Sequence, residues 1–533
     1  MDVSVLASNL TVGSTTLIEA LVLDGSARPI EGVGLDWHSS RPDVAILTGT
    51  GYTRTVTAVG EGESVITAGT GSQEGSVTVS VLLPEPIPSF PGAEGWGATA
   101  LSDCRFLPLQ VHFVTNTGDD GPGSLREAIE NVSDGRFDVI VFQTGGSVRL
   151  LSQVRFREGC AYLAGQTAPG AGILVRGNGI RLLNNHDVVV RYMRFRDASN
   201  LLHIIDTGGA RRIVFDHLSG SWATDGTFSI WRNEHAASDT REITYQRLLS
   251  AESLAGHSTG MLIGGRLSER AHEGLYQLSI HHNLFAHTGQ RNPEVMSGNA
   301  QVSTTRGAEV VNNVQYNWVD RPISTRDNSV VDVVGNYSKP GPMTVTRVHR
   351  HQDRPAAESP ELFPLSSIYI SGNVIEGENF NVEWDMFRYW YSLTETLREE
   401  LRRDVALRPA RFPVAVQSAA EAYSDVLGDV GANARIDCDG SWVAAQDAVD
   451  IRIITDVLGG SGYSEEPPNS PEEAGGWPVM AEGTACQDSD ADGLPDSWES
   501  RHYGCDSCAN PATRGQDGYL LIEHYANGTV PGS

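Results

Sequence analysis

Short apolar runs rich in β-branched residues recur through the middle of the chain, and most of them end in Asn, His or Gly. Their spacing of roughly 22 to 36 residues is typical of a solenoid whose turns carry insertions of different length. Hairpin signals such as Asn-Gly between paired strands are scarce, so the pattern favours a solenoid over a sandwich. The runs are Val188–Tyr192, Ile213–His217, Ile243–Tyr245, Leu278–Asn283, Val310–Val314, Val331–Asn336 and Ile368–Asn373.

Asparagine at the ends of these runs has a physical reason. Its side chain tolerates the left-handed backbone conformation and can hydrogen-bond to an equivalent asparagine on the next turn of the solenoid. We therefore expect stacked asparagines that satisfy the buried polar groups of the turns.

Residues 1–84 follow a different pattern. Polar and apolar residues alternate there at period two, as in Ser76–Val81, and glycine-rich turns separate the runs. This pattern predicts a small β-sandwich. Pro84, Pro86 and Pro88 then form a short extended linker, because proline at this spacing prevents both helix and ladder pairing.

Two later segments interrupt the solenoid rhythm. Residues 382–430 include the sequence TETLREELRRD at 394–404, whose strong helix formers and interleaved charges predict a helical insertion. Residues 463–487 are rich in Gly, Pro, Ser and Glu and read as a second linker. The predicted domains are thus 1–84, 89–462, the linker 463–487 and a tail, 488–533.

Composition limits the chemistry. The formal net charge is −28, which argues against nucleic acid as a partner and means that a polyanionic substrate would need a locally basic cleft. Lys339 is the only lysine, and its Gly/Pro-flanked turn makes a catalytic lysine improbable.

The cysteines and the hydropathy of the chain indicate the cellular compartment in which the protein acts. An even count of six cysteines is compatible with disulfides in an oxidising compartment, although the sequence leaves their pairing open. No apolar run of membrane-spanning length occurs and no signal peptide is recognisable. We expect a secreted, monomeric protein whose signal peptide has been removed.

Several motifs follow one another in a specific order. They are Phe90–Gly97, Val114–Asn116 with Gly121–Arg126, Ala164–Gly170, His281–Leu284 with Arg291–Pro293, and Gln446–Arg452. Together they resemble the bacterial pectate lyases of polysaccharide lyase family one. The resemblance runs from about Phe90 to about Gly462 and implies a right-handed parallel β-helix, so that we expect an all-β chain. Separately, Trp37–Ala45 and Val56–Gly62 resemble the bacterial immunoglobulin-like group 2 domain, usually a spacer or adhesion module.

The family resemblance implies cleavage of a uronate polymer by β-elimination. Its catalytic base corresponds to Arg291, and His257 matches a histidine of the bacterial relatives that could act as acid/base, substrate contact or turn residue. Arginine is an unusual base because its pKa lies above about 12. One further arginine of the motif is missing, since Glu294 and Met296 stand in that region.

Calcium in the groove is left open by the sequence. Asp225 matches a calcium-ligand position of the family and Asp206 could join it, but Asn200, Leu202 and Ser229 stand where acids would be expected. One acid rarely holds calcium, which takes six to eight oxygens.

Three side chains are candidates for substrate binding, with core packing or a structural role as the alternative. They are His217, Trp222 and Trp231. The neighbouring His281 and His282 should point to opposite faces of a regular strand, so we expect that they do not share one ion.

The tail contains a complete EF-hand loop template, D-x-D-x-D-G-x-x-D-x-x-E. It predicts a structural calcium site, with Gly493 at the sharp turn. The expected oxygen donors are Asp488, Asp490, Asp492, the carbonyl of Leu494, Asp496 and Glu499.

The sequence leaves two other functions open. A β-helix glycoside hydrolase acting on pectic polymers would need convergent carboxylates, of which the sequence suggests only Asp216 and Asp225. A non-catalytic glycan-binding β-helix would explain the modular ends and the missing acids.

Overall fold

The computed structural model describes residues 1–71, 73–182, 184–197, 209–232, 238–265, 271–300, 303, 306–352, 365–389, 394–407 and 409–531, and the backbone of 202–206. The chain divides into two compact units, Met1–Pro86 and Ile87–Ser533.

The first unit is a β-sandwich. In Thr15–Leu21 exposed and buried residues alternate one by one, as the period-two pattern predicts. The buried positions, such as Ile18, Val56 and Val79, form a core between two sheets. One sheet has the order Asp2–Val5, Thr15–Leu21, Thr53–Ala58, Ala45–Thr48, and the other Asn9–Thr11, Glu74–Leu82, Gly62–Gly69, Asp36–Ser39.

The second unit is a right-handed parallel β-helix. Each turn of the chain contributes one strand to each of three long sheets, and each strand pairs in parallel with its counterpart on the next turn. Val188 lies beside Ile213, Ile213 beside Ile243 and Ile243 beside Leu278. Parallel crossover connections are almost always right-handed. The predicted fold is confirmed.

Within the described residues the three sheets have ten, nine and nine strands. The first sheet comprises Leu109–Val114, Phe137–Phe142, Ala161–Ala164, His186–Arg191, Arg211–Asp216, Thr240–Gln246, Leu275–His281, Ala308–Val311, Val330–Val334 and Ser367–Ser371. The second comprises Gly146–Arg149, Ile173–Arg176, Arg194–Arg196, Ser219–Ser221, Leu249–Ala251, Leu284–Ala286, Val314–Tyr316, Tyr337–Lys339 and Val374–Ile375. The third comprises Val154–Phe156, Ile180–Leu182, Leu202–Asp206, Phe228–Arg232, Leu262–Gly265, Glu294–Val295, Ser324–Arg326, His349–Gln352 and Phe387–Tyr389.

An asparagine ladder runs along the corner between the first and second sheets. The side chains of Asn283, Asn313, Asn336 and Asn373 are joined by amide hydrogen bonds of 2.8, 3.0 and 2.9 Å. At these corners the residue before the ladder asparagine has a left-handed backbone conformation, as Asn312 does. The expected stacking of asparagines is confirmed.

The helices lie outside the barrel of sheets. The α-helices are Leu125–Glu130, Glu395–Leu401, Ala419–Gly428, Ala448–Gly459, Asp496–Tyr503 and Leu521–Asn527, and short 3-10 turns occur at Cys104–Phe106, Gly165–Thr167, Ala271–Gly274 and Glu383–Met386. A two-stranded sheet joins Ala434–Ile436 to Trp442–Ala444. None of the helices in the described ranges is long and apolar enough to cross a bilayer.

The helix Ala448–Gly459 is fixed to the second sheet by ion pairs. Asp447 caps its amino end and binds the buried Arg196 at 2.6 Å, and Asp450 binds the same guanidinium at 2.9 Å. Breaking such a buried pair would leave an uncompensated charge, which costs several kcal/mol.

The tail packs on the outward face of the first sheet. Leu494, Trp498 and Ile522 share an apolar cluster with Val139 of that sheet. The buried Arg105 binds Glu523 of the last helix at 2.8 Å. The residues after 488 are therefore part of the second compact unit. All six cysteines are paired, as Cys104–Cys160, Cys438–Cys486 and Cys505–Cys508.

Candidate functional site

The outward face of the third sheet brings several candidate residues together. Ile230, Ile263 and Val295 lie side by side in the barrel core. Because side chains alternate along a strand, their neighbours Trp231 and Glu294 point outward. This face begins at the turns that precede the strands Phe228–Arg232, Leu262–Gly265 and Glu294–Val295.

Asp225, His257 and Arg291 lie on three successive turns at that edge. His257 Nε2 is 3.4 Å from a carboxylate oxygen of Asp225, and both side chains are half exposed. The hydroxyl of Thr259 donates to the Asp225 carbonyl, and the amide of Met261 donates to the Arg291 carbonyl at 2.7 Å. The ladder between turns therefore places all three residues at one edge of the third sheet.

Arg291 belongs to a cluster of arginines around the buried Glu294. The carboxylate of Glu294 lies 3.6 Å from Arg291, 3.1 Å from Arg321 and 3.3 Å from Arg326. Burial alone would raise the pKa of Glu294, but Arg326, Arg291 and Arg321 outweigh it and hold the pKa below its ordinary value. Glu294 is therefore ionised and is shared by three cations.

Among the described side chains of this cluster, positive charge exceeds negative charge. Asp320 binds Arg321 and also Arg350, the latter at 2.8 Å. Asp327 is the third carboxylate, 3.4 Å from Arg326, so four described arginines face three described carboxylates. Burial and the nearby Arg321 lower the pKa of Arg350, which shows the crowding of like charge. We call the outward surface that carries Arg291, Arg321, Arg326 and Arg350 the arginine face.

Arg326 lies where the sequence motif lacks an arginine. The register pairs Glu294 with Ser324 and Val295 with Thr325, so the next position places Met296 beside Arg326 on the neighbouring turn. Met296 is buried, whereas the Arg326 side chain keeps 16% of its surface exposed. An arginine thus lies beside Met296 on the next turn of the solenoid, and the sequence did not indicate this because the two positions are 30 residues apart.

The two candidate tryptophans lie in different environments. Trp231 lies in the outward row of the third sheet, is only partly buried and neighbours Gly264. Trp222 is fully buried, donates from Nε1 to Glu252 and packs edge-on against Trp477. The structure therefore corrects the prediction for Trp222, because its ring has no surface open to a sugar.

The other predicted groove ligands are not brought together. Asp206 ends the strand Leu202–Asp206 and is in register with Arg232, whereas Asp225 precedes that neighbouring strand, so their backbones lie at opposite ends of the sheet. The side chain of Asp206, like Asn200 and the side chain of Leu202, lies outside the described residues. Ser229 accepts a hydrogen bond from the Leu262 amide.

His217 lies in a separate cavity of about 430 Å³ on the outward side of the first sheet. We call this cavity the histidine pocket and define it by Glu94, Asp216, His217, Arg247, His281 and His282. Its floor is a stacked row, in which the register aligns Arg191, Asp216, Gln246 and His281 on successive turns.

The expectation that His281 and His282 point apart is wrong. The strand ends at His281, and His282 has a left-handed backbone with φ of 53°. That turn brings both rings to the same side, with 2.9 Å between the two Nδ1 atoms. Alternation along a strand holds only while the strand continues, and the sequence did not mark this end.

Ion pairs hold His217 in the pocket wall. Its ring stacks on Tyr192, and its nitrogens lie 2.8 Å from Asp216 and 3.1 Å from Asp429. Burial disfavours the charged ring, but the charge of Asp216 and the hydrogen bonds to both carboxylates outweigh it and raise the pKa of His217. These contacts indicate a structural role for His217, which lies away from the arginine face.

The acidic loop of the tail has a preorganised backbone. One carboxylate oxygen of Asp488 accepts from the Gly493 amide at 3.0 Å, and Asp492 accepts from the Leu494 amide. Ligand atoms of Asp488, Asp490 and Asp492 lie within 4.8 Å of one another. Burial and the charges of Asp490, Asp488 and Glu499 raise the pKa of Asp492 to about 6.

The two remaining acids of the loop differ. Asp496 accepts hydrogen bonds from the amide and hydroxyl of Ser489. Glu499 is fully buried, and one of its oxygens accepts from the amides of Cys508 and Ala509 while the other, Oε2, has no hydrogen-bond partner within the described residues. A buried carboxylate oxygen without a partner is costly unless a cation completes it.

Comparisons with known proteins identify relatives of most of the chain. The probable pectate lyase C of Aspergillus fumigatus is 30% identical over 461 residues, which covers 83% of this chain and 94% of the relative. The probable pectate lyase C of Neosartorya fischeri is 30% identical with the same coverage, and that of Aspergillus terreus is 29% identical over 472 residues. These relatives are fungal and do not support the bacterial grouping that the motifs suggest. No protein-family model matches the chain.

Solved structures give weaker similarity. The cedar pollen allergen jun a 1 aligns with 14% identity and a TM-score of 0.43, covering 64% of this chain and 92% of the allergen. A pectate lyase of Bacillus sp. N165, in complex with trigalacturonate, aligns with 15% identity and a TM-score of 0.41, covering 64% of this chain and 98% of that one. Because these identities and TM-scores are low, the assignment of the fold rests on the strand order described above.

Proposed function

Because this chain belongs to the pectate lyase family, a family of carbon–oxygen lyases, we propose that it cleaves polygalacturonate or a closely related uronate polymer on its arginine face. The observation that carries the location is the excess of arginine over carboxylate around Glu294, in a chain whose net charge is −28. A polyanion would meet repulsion over most of the surface and attraction there.

Uronate elimination needs two things from the protein. The carboxylate at C5 must be neutralised before its neighbouring proton becomes labile, and a base must take that proton. The electron pair of the C5–H bond then forms the C4–C5 double bond while the C4–O bond breaks, and the leaving oxygen takes up a proton. Arg321 and Arg326 supply the neutralising charge in this proposal.

Arg291 is the proposed base, as the family resemblance implies. Its side chain is 19% exposed and its contact with Glu294, at 3.6 Å, is the longest of the three in the cluster. Arg321 and Arg326 also bind Glu294, so this carboxylate is not the partner of Arg291 alone. His257, paired with Asp225 one turn away, is the proposed donor to the leaving oxygen.

A resident calcium ion does not fit the described part of the groove. Among the described residues of that edge, Asp225 has His257 as its partner, and Asp320 is already paired with Arg321 and Arg350. Within the described ranges Asp225 belongs to no group of three ligand side chains. Calcium takes six to eight oxygens, so no step of this mechanism depends on it, and arginine takes over the neutralising role.

The tail loop, in contrast, fits calcium, and we infer a structural site there. Three clustered carboxylates and the buried, unpartnered Oε2 of Glu499 support it. Gly493 has φ of 100°, and a Cβ there would lie 2.9 Å from Val111 of the first sheet, so the turn fits only glycine. A bound ion would stiffen the segment that covers the first strands of the β-helix.

The remaining parts suit an exported enzyme. Three disulfides support an oxidising, extracellular compartment. We infer that the β-sandwich of 1–86 is an immunoglobulin-like spacer or adhesion module, supported by its two-sheet core and its sequence motifs.

One assay tests the proposed function against both alternatives. The purified protein is incubated with polygalacturonate while ultraviolet absorbance and reducing ends are followed. A conjugated double bond marks elimination, which is the expected result. New reducing ends without that absorbance would mean hydrolysis, and binding without any product would mean a non-catalytic β-helix; either result would overturn the proposal.

A further inference from the structure

We propose that the histidine pocket is a metal site, separate from the arginine face, in which His281, His282 and Glu94 bind a divalent cation of the zinc class. The proposal is independent of the proposed function, because none of these residues lies on the arginine face.

The three side chains already converge. One ligand atom from each of Glu94, His281 and His282 lies within 4.8 Å of the others. The two Nδ1 atoms are 2.9 Å apart, and the rings meet nearly at right angles, at 85°. Two nitrogens bound to one tetrahedral zinc, at about 2.0 to 2.1 Å each, are separated by about 3.3 Å. Movement of a few tenths of an ångström would complete the geometry.

Glu94 reaches the histidines because the segment around it is fixed to the sheet. The amide of Glu94 donates to Gln246 at 3.1 Å, and the amide of Trp96 donates to Ser279 at 2.9 Å. Gly95 permits this close approach, since a Cβ there would lie 2.4 Å from the Ser279 hydroxyl. The third ligand is thus held by backbone contacts rather than by a mobile loop.

Contacts on the far side of His282 orient its ring. Its Nε2 lies 3.2 Å from the amide oxygen of Gln417 and 3.2 Å from the amide nitrogen of Asn312, and the Gln417 amide nitrogen donates to Asp425 at 3.1 Å. These contacts fix the ring with its Nδ1 facing His281. Such support of a ligating histidine by a second partner is common in metal sites.

The charge of the pocket favours a cation. Four carboxylates line it, namely Glu94, Asp216, Asp425 and Asp429, against the two arginines Arg191 and Arg247. Arg247 is itself paired with Asp425 and Asp429, both at 3.2 Å. A pocket with excess negative charge repels uronate and attracts a divalent cation. Three protein ligands leave a fourth position open to the cavity, for water or a small ligand.

The test uses the full chain, stripped of metal by a chelator and titrated with Co²⁺, whose tetrahedral complexes absorb visible light. We expect one equivalent to bind with that absorption. Glu94→Gln and His282→Gln should each weaken binding by at least about 100-fold. His257→Gln removes a histidine outside the pocket and should bind as the unmodified protein does.

The tail loop could also take up metal, so the ligand type must be read directly. X-ray absorption of the zinc-loaded, unmodified protein should show imidazole nitrogen scattering from two histidines, whereas an all-oxygen shell would overturn the proposal even if the variants failed to fold. Unchanged cobalt binding in the Glu94→Gln, His282→Gln double variant, or no stoichiometric uptake by the unmodified chain, would overturn it equally.

Discussion

Two outward faces of one β-helix carry opposite charge. On the third sheet Arg291, Arg321 and Arg326 surround a single buried glutamate. On the first sheet, carboxylates outnumber arginines around His281 and His282. The backbone of both faces is the same repeated parallel ladder, so their difference resides in the outward side chains alone. The fold therefore does not determine which ligand each face binds, whereas the charge of its side chains does. A uronate polymer suits the arginine face, and a cation suits the histidine pocket.

The largest expected effect is on the catalytic rate, and it distinguishes the arginine face from the histidine pocket. Arg291→Lys should lower kcat on polygalacturonate by about 100- to 10,000-fold, because positioned proton transfer contributes that much. KM should change little, since lysine retains the charge. Steady-state kinetics by ultraviolet absorbance measures both. His282→Gln in the other face serves as the matched control and should keep kcat within about twofold of the unmodified protein; a comparable loss there would contradict the division of roles.

The next effect tests whether Arg321 and Arg326 bind the substrate carboxylates. A hydrogen bond to a charged group is worth about 1.5 to 3 kcal/mol, so Arg321→Met or Arg326→Met should lower kcat/KM by about 10- to 100-fold. The loss should appear both as a higher KM and as a lower kcat, because the charge that binds the carboxylate also makes its neighbouring proton labile. Arg501→Met, which removes an exposed arginine of the tail, is the control. An unchanged KM in both groove variants would remove these residues from substrate binding.

A smaller effect concerns stability rather than catalysis. Calcium at about 100 times its Kd would stabilise the protein by about 2.7 kcal/mol, which corresponds to a few degrees in Tm for a large domain. Calcium added to the metal-stripped protein should therefore raise Tm, and Asp492→Asn should abolish this response. Glu465→Gln, an exposed acid outside the loop, should respond like the unmodified chain. A Tm indifferent to added calcium would exclude the tail site.

The smallest effect is a pH dependence in the histidine pocket. Because the folded state raises the pKa of His217, the pairs with Asp216 and Asp429 stabilise the fold fully below about pH 6.5 and lose their contribution as pH rises through the folded pKa. The free energy lost in His217→Gln should thus be larger at pH 5.5 than at pH 9, by denaturant unfolding. The opposite trend would show that the ring is neutral in the folded protein.

Much of the architecture could be predicted from sequence because it repeats. The apolar runs and the turn asparagines recur along the solenoid. The sequence therefore predicts the ladder in which Asn283 and Asn313 are hydrogen-bonded. The candidate site was only partly predictable. Arg326 lies beside Met296 on the next turn, and neither spacing nor composition relates the two positions. His281 and His282 converge because a strand ends between them, which depends on the local backbone.

Uronate should bind the arginine face and not the histidine pocket. The most direct measurement is a crystal structure of the Arg291→Lys variant soaked with trigalacturonate. We expect sugar carboxylates within hydrogen-bond distance of Arg321 and Arg326, with a C5 atom facing residue 291. Trigalacturonate seated in the cavity beside His281 and Arg247, with the arginine face empty, would contradict it.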